Sequence, residues 1–558
     1  MFPAALGLSL LPLLVSAVAL VVDVGRSYVP TADYAYTELL TRDVGHHAVL
    51  TGLYSRADWN HPGPALFYLL SIPYRLTGSA SIGIHLGALL VNGAAIAGIA
   101  LIARRRGGTR LMLMSLVGCG LLVRAVGPAF VSNPWNPDIT VLPYALLVLL
   151  AWTMTCGDTW ALPVAAGVAS FCVQTHVGYA PMAIPLLLWG AALLVVHARR
   201  AGTTRALARP AALAAAVLAV MWLPPAIDEL VHSPGNLARI VHYFEHPDRP
   251  SQSLTVGFRI VGGAFGLPPE WVAGARPPFG FLGDHLFAHA APPPVLLVPF
   301  LVAGFVLWRR RASDGVRLVL TLLVALGFGV ASVSRTIGDI AAYRLGWTWV
   351  LAMLASVVVG WTAWLLVSDR TGRLRGAGDR WLVTASMVAL VVLAGLDSVA
   401  AARAGDPQPH WTPVMTTLTP PVATALPARA GDVIVRWHSA AGQFLAPGVV
   451  LDLERKGIPA RVDPDPASRF GAHRIHRHGP VRAVVTILSA DGVLAPPPDA
   501  RVVSYYGTKS RQELARAVAS RRALDAARAA GTITDVEWAR RSLAIGGSDS
   551  LAIAVAPG

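Results

Sequence analysis

Long apolar runs recur along the chain up to about position 400, and each approaches the about 20 residues that an α-helix needs to cross a bilayer. Polar and charged positions interrupt these runs at short intervals. The pattern predicts an α-helical polytopic membrane protein with about eleven transmembrane helices. The predicted cores of these helices are 4–22, 81–103, 111–127, 138–155, 160–176, 179–197, 210–224, 293–308, 317–333, 345–367 and 381–399.

Beyond position 400 the apolar runs shorten and charges return. The stretch Asp432–Trp437 reads as a strand, 442–455 as a helix and 483–488 as a second strand, while 510–530 is strongly helical and 551–555 could close a sheet. Strands alternating with helices predict a small α/β domain. We therefore expect a transmembrane domain over 1–400, a proline-rich linker over 401–427 and a C-terminal α/β domain over 428–558.

Composition and loop charge predict how the chain is oriented in the membrane. The chain has 558 residues with 14% charged residues, against about 25% in typical soluble proteins. The net charge of +15 is largely carried by arginines in the short loops 104–110, 199–209, 309–317 and 370–380. Basic loops stay in the cytoplasm, so the N-terminus is expected inside and the C-terminal domain outside the plasma membrane. No nucleic-acid-binding motif accompanies the charge.

Two carboxylates follow the first predicted span. Asp33 and Glu38 lie in the stretch TADYAYTELLTRD, and a carboxylate near a membrane surface is a candidate general base. If this stretch is helical, the two residues are about 140° apart around the helix, so only one of them would act as the base. The alternative is that Asp33 caps a helix.

A second group of candidates follows in GLYSRADWNHPGP, residues 52–64. Trp59 has a ring that can stack on a sugar, and Arg56 and His61 can bind phosphate or hydroxyl oxygens, with Asn60 beside them. The two prolines stiffen this segment. The alternative is a rigid interfacial turn with aromatic anchors.

The other predicted outer loops carry the remaining candidates. Two arginines at a membrane surface suit a lipid phosphate, whereas snorkelling and helix capping are the structural alternatives. An isolated histidine at a helix end is more often a packing residue than a ligand. The residues concerned are Trp135, Asn136, Asp138, His176, Arg335, Asp339 and Arg344.

No metal-binding or cofactor motif stands out in the sequence. The three cysteines, Cys119, Cys156 and Cys172, lie far apart in or near predicted spans. A divalent cation held by Asp33 and Asp138 stays an open alternative.

The first span, the acidic stretch TADYAYTELLTRD, the later SRADWNHPGPALFYLL and the multi-span core with an outer α/β tail together resemble the GT-C superfamily of membrane glycosyltransferases. Similar layouts occur in protein mannosyltransferases, aminoarabinose transferases and actinobacterial arabinosyl- and mannosyltransferases. The resemblance implies Asp33 as the catalytic base and a polyprenyl-phosphate-linked sugar as donor. The chain departs from the paired acidic dipeptide of some members, because Tyr34 follows Asp33, which leaves Glu38 open as a partner.

The resulting hypothesis is an inverting hexosyl- or pentosyltransferase. It would act at the outer face of the membrane on a glycan, lipid or protein acceptor. A lipid-linked sugar flippase is one alternative, although it predicts charges midway through the spans and inverted repeats. A non-catalytic scaffold for envelope assembly is the other, and it would tolerate replacement of Asp33.

Overall fold

The computed structural model describes residues 1–25, 28–55, 57–274, 292–338, 340–370, 375–464, 467–545 and 550–558. Most of this part of the chain is α-helical. In chain order the helices are α1 (Phe2–Ala19), α2 (Ala32–Asp43), α3 (Ala65–Leu76), α4 (Ile82–Val126), α5 (Asn136–Ile139), α6 (Val141–Thr155), α7 (Ala161–Thr175), α8 (Ala180–Arg200), α9 (Ala208–Val231), α10 (Asn236–Glu245), α11 (Leu254–Gly263), α12 (Glu270–Ala273), α13 (Leu297–Arg309), α14 (Ser313–Ser334), α15 (Gly346–Arg370), α16 (Arg375–Ala404), α17 (Thr412–Leu418), α18 (Pro420–Ala425), α19 (Ala440–Arg455), α20 (Ala467–Phe470), α21 (Asp491–Leu494), α22 (Arg511–Ala529) and α23 (Asp535–Ile545).

The chain forms two compact units. One consists of Met1–Val24 and Ala48–Pro407, and the other of Gly25–His47 and Gln408–Gly558. The second unit contains the chain from Gln408 onwards and, in addition, the segment Gly25–His47. This segment follows the first helix in sequence, but it packs with the C-terminal part of the chain.

The first unit has the expected membrane architecture. Within the described residues, eight helices are long and apolar enough to cross a bilayer. One of them, α4, has 45 residues and holds two predicted spans, separated at Gly108, where the backbone leaves the helical conformation (φ 69°). Two further predicted spans fall on the shorter apolar helices α7 and α13. The prediction of a polytopic helical membrane protein is therefore confirmed.

The second unit contains a five-stranded mixed sheet in the order β2-β1-β3-β5-β4. Its strands are β1 (Asp432–Trp437), β2 (Ala460–Val462), β3 (Val481–Ser489), β4 (Arg501–Tyr506) and β5 (Leu551–Pro557). The pairs β1–β2 and β1–β3 are parallel, and β5 runs antiparallel to β3 and β4. The central strands are apolar, with Val485, Ile487 and Ile553 almost fully buried. The small C-terminal α/β domain is confirmed.

Local chemistry explains two of the helices in this unit. The hydroxyl of Ser439 accepts a hydrogen bond from the Gly442 amide at the start of α19. Before α22, the Ser510 hydroxyl and the Glu513 carboxylate form a capping box. Such caps satisfy backbone amides that have no partner within the helix, so both helices begin close to where the sequence predicts them.

The proline-rich stretch 401–427, which we predicted to be a linker, is helical over most of its length. The helix α16 extends into it as far as Ala404, and α17 and α18 follow. Val414, Met415 and Leu418 are buried. The prolines Pro413, Pro420 and Pro421 lie in the first turns of α17 and α18, where the missing amide hydrogen has no cost. Proline content therefore marks helix starts in this stretch.

Candidate functional site

In the second unit, helix α2 carries Asp33 in its first turn. The preceding residue, Ala32, has a positive φ of 48°, a conformation that non-glycine residues rarely adopt and that concentrates at functional positions. The Thr31 amide is held by Gln408, whose Oε1 accepts its hydrogen bond at 2.8 Å. The Asp33 side chain is half-buried. A strained and anchored helix start therefore presents this carboxylate.

Glu38 lies in a different environment on the same helix. Its side chain is fully buried, and its carboxylate pairs with the guanidinium of Arg455. Arg455 also donates to the Tyr28 carbonyl at 3.1 Å. The Glu38 carboxylate thus forms part of the packing between α2 and α19, whereas the carboxylate of Asp33 is partly accessible.

Tyr36 connects Asp33 to the C-terminal part of the second unit. Burial raises the pKa of Tyr36 well above its usual value, nearby Asp33 raises it further, and Arg469 lowers it. The Tyr36 ring packs edge-on against Phe470 at 4.9 Å. Sequence reasoning missed both Tyr36 and Arg469. The two residues are more than 400 positions apart in the chain, so no local pattern links them.

In the first unit, residues 52–55 pair with residues 59–61 as the two arms of a hairpin. The Gly52 amide donates to the His61 carbonyl, the His61 amide to the Leu53 carbonyl and the Ser55 amide to the Trp59 carbonyl, each at 2.8 Å. This pairing buries Trp59, whose ring contacts Tyr243 of α10 at 5.7 Å. The Trp59 ring therefore serves packing within the first unit.

The end of α7 brings several predicted residues together. The Gln174 carbonyl accepts from the Gly63 amide at 3.3 Å, the Thr175 carbonyl accepts from Asn136 at 3.1 Å, and the Val177 amide donates to His61 at 3.1 Å. The short segment 174–178 is thus a common anchor for the hairpin and α5. Asn136, His61 and His176 converge because each is bonded to this segment or belongs to it.

His61 and His176 form a buried pair of imidazoles. Their ring centroids are 4.7 Å apart. The Nδ1 of His61 accepts the Val177 amide hydrogen, so the proton of the neutral ring lies on Nε2. Burial, His176 and Arg344 hold the pKa of His61 well below its usual value. His61 is therefore a neutral ring that offers one N–H donor.

Arg344 supplies the positive charge near this histidine pair. It follows Tyr343, whose ring contacts Trp135 at 4.8 Å, and the Arg344 guanidinium lies 5.6 Å from the centroid of the Tyr343 ring. Its own side chain is exposed. Trp135 and Arg344 were predicted as site residues from the sequence, whereas Tyr343, which contacts both, was not.

Amide side chains form further hydrogen bonds in the hairpin and at α5. Asn236 of α10 accepts from the Asn60 amide at 2.7 Å and donates to the Asn60 carbonyl at 2.8 Å. Asp138 accepts from Asn133 at 2.7 Å. Asp138 lies within α5, and the N-caps of α5 and α6 are Trp135 and Thr140, so Asp138 is not the capping residue of either helix. No sequence motif marked Asn236, because its partner lies in a distant loop.

Three predicted site residues remain. Arg335 is exposed directly after the end of α14. Arg56 and Asp339 lie outside the described residues. The described candidates therefore form two separate groups, one around Asp33 in the second unit and one around His61 in the first.

Comparison with solved structures shows that the chain shares its fold with ArnT. The structure of ArnT from Cupriavidus metallidurans bound to undecaprenyl phosphate matches with a TM-score of 0.54 and 15% identity, over 88% of this chain and 94% of that one. The apo structure of the same protein gives a TM-score of 0.52 at 15% identity and the same coverage. The sequence matches no protein-family model and no curated protein.

Proposed function

We propose that the protein is an inverting glycosyltransferase that moves a sugar from a polyprenyl phosphate to a cell-envelope glycan, lipid or protein at the outer face of the membrane. The observation that carries this proposal is the half-buried carboxylate of Asp33 at the strained start of α2, in a chain with the ArnT fold. The solved ArnT structure holds undecaprenyl phosphate, which supports a lipid phosphate of this class as the donor.

In this mechanism Asp33 accepts the proton of the acceptor hydroxyl. The hydroxyl oxygen attacks the anomeric carbon from the face opposite the phosphate, and the bond between that carbon and the phosphate oxygen breaks. Polyprenyl phosphate leaves with the bonding electrons, and the sugar is transferred with inverted configuration. Glu38 keeps a structural role, because its buried carboxylate is engaged by Arg455.

The group around His61 is proposed to bind the phosphate. An exposed guanidinium at Arg344 can donate two parallel hydrogen bonds to phosphate oxygens. The Nε2–H of neutral His61 adds a further donor without adding charge. Together these donors would stabilise the negative charge that develops on the leaving phosphate. Arg335, Asn136 and Asp138 remain candidates for sugar or phosphate contacts.

The experiment that tests the function is sugar transfer in membranes that contain the full-length protein. A panel of radiolabelled polyprenyl-phosphate hexoses and pentoses is offered together with an envelope extract as acceptor, and membranes without the protein serve as the control. We expect label to move from one donor class into the extract, with the anomeric configuration of the product opposite to that of the donor. Movement of labelled lipid across the bilayer without transfer would favour a flippase instead.

A further inference from the structure

The far end of α2 holds a second group of polar side chains, to which the proposed mechanism gives no role. Asp43 is the last residue of α2, and its carbonyl accepts the amides of His46 and His47 at 2.8 Å each. Gly45, with φ 80°, permits the tight turn between them. The turn brings the side chain of His47 back beside the Asp43 carboxylate.

A turn from the C-terminal part of the same unit completes the group. His473 lies in the 3-10 turn Ala472–Arg474, and its Nε2 is 3.4 Å from Oδ1 of Asp43. The rings of His47 and His473 stack with centroids 3.7 Å apart. One ligand atom from each of the three side chains lies within 4.8 Å of the others.

The space around this group suits a small ion. A methyl group at Gly471, where φ is 86°, would lie 3.3 Å from Cε1 of His473 and 3.7 Å from Oδ2 of Asp43. Glycine therefore keeps that side of the group open. His47 is exposed, so an ion can enter from solvent and keep a water as its fourth ligand.

The ligand types and one measured distance fit zinc. Zinc binds histidine nitrogen and aspartate oxygen at about 2.0–2.2 Å with tetrahedral geometry, which places two ligand atoms about 3.4 Å apart. The distance between Oδ1 of Asp43 and Nε2 of His473 is 3.4 Å, which agrees with this spacing. The exposed ring of His47 must turn out of the stack to direct a nitrogen at the ion. Imidazole ligands favour zinc, copper or nickel over magnesium.

Arg474 orients the carboxylate of Asp43. Its buried guanidinium donates to both oxygens of Asp43 at 2.7 Å, and also to Glu454 at 2.6 Å. A carboxylate has about four lone-pair positions, so these two bonds leave room for a metal on Oδ1. Such supporting hydrogen bonds are typical of ligands that are held ready for a metal.

We propose that Asp43, His47 and His473 bind a divalent transition-metal ion, with zinc as the expected ion, and that this ion ties the end of α2 to the turn Ala472–Arg474. Asp33 and Asp43 lie at opposite ends of α2, about 15 Å apart along the helix at about 1.5 Å per residue. The ion is therefore a structural clamp on the helix that carries Asp33, and the proposal does not depend on the sugar-transfer reaction.

The test is zinc binding by the full-length protein in detergent. The purified protein is stripped with a chelator and titrated with zinc against a competing dye, and its melting temperature is recorded with and without zinc. We expect one zinc per chain and a higher melting temperature. His47→Ala and His473→Ala should weaken binding about tenfold or more, whereas His46→Ala, in the exposed neighbouring residue, should not.

Folding of the variants is checked by the melting temperature in chelator. It should match wild type in His47→Ala, because His47 is exposed, so that variant separates loss of the ligand from loss of the fold. Absence of stoichiometric zinc in the wild type would overturn the proposal. Equal zinc binding by wild type, His47→Ala and His473→Ala would also overturn it.

Discussion

The guanidinium of Arg474 donates to both carboxylate oxygens of Asp43 at 2.7 Å, across 431 positions of the chain. Both side chains are almost fully buried. Arg474 also bonds Glu454, so one guanidinium joins α2, α19 and the turn at Ala472–Arg474. The short segment after the first transmembrane helix is thus built into the C-terminal unit by charge pairing.

Breaking this pair is expected to unfold the second unit at lower temperature. Arg474→Met removes the guanidinium and leaves Asp43 as a buried charge, which costs about 3–5 kcal/mol. Thermal unfolding of the full-length protein, followed by limited proteolysis of the C-terminal unit, measures this. Arg477→Met provides the matched control, because Arg477 is exposed and close in sequence. Equal stability of the two variants would contradict the importance of the pair.

Glu38→Gln is expected to reduce stability and leave catalysis nearly intact. The substitution weakens the buried pair with Arg455, at a cost of about 1–3 kcal/mol. Transfer per folded molecule should stay within a few-fold of wild type. The double variant Glu38→Gln/Arg455→Gln should be less destabilised than the sum of the single variants, since the two residues interact directly. A large fall in kcat would instead identify Glu38 as the base.

The buried His61 predicts a loss of stability in mild acid. The pKa of His61 in the folded protein lies well below its usual value of 6.5, so the unfolded chain binds a proton that the folded chain does not. The contribution of neutral His61 to the free energy of unfolding should therefore be fully present above pH 6.5. It should fall as the pH drops below this value towards the pKa of His61 in the folded protein. His61→Gln should flatten this dependence in thermal melts between pH 7.5 and 5. An unchanged slope would show that His61 does not contribute.

Arg344→Ala is expected to weaken binding of the lipid-phosphate donor. Loss of a charge-assisted contact costs about 1.5–3 kcal/mol, which corresponds to a rise in KM for the donor of roughly tenfold to a hundredfold. Arg344→Lys should recover only part of this, because an ammonium lacks the planar fork. Arg309→Ala, at an exposed arginine in a loop predicted to be cytoplasmic, is the control. An unchanged KM in Arg344→Ala would move the phosphate role to Arg335.

The local pattern of apolar and polar residues was sufficient to predict most of the helices and strands. Apolar runs of bilayer length predicted the spans, and Asp432–Trp437 was predicted with the bounds that the structure has. The strand β2 has only three residues, too few for periodicity to reveal. The strand β4, Arg501–Tyr506, was missed because it lacks the strong apolar run of β3.

The groups around the candidate residues depend on contacts that no local pattern contains. Glu38 is paired with Arg455, and Asn60 is bonded to Asn236 from a distant helix. Such pairs form only when separate segments pack, so the sequence could indicate residue types near the membrane surface but not their partners. For the same reason it did not predict that Gly25–His47 belongs with the C-terminal unit.

The central claim is that Asp33 removes the proton of the acceptor. The most direct test is the rate of sugar transfer under single-turnover conditions for wild type, Asp33→Asn and Asp58→Asn, each shown to be folded and inserted. Asp58 is an exposed carboxylate in the hairpin and controls for the loss of a charge. We predict that Asp33→Asn slows transfer by about 10²–10⁴-fold while Asp58→Asn stays near wild type. Equal rates for Asp33→Asn and wild type would contradict the account.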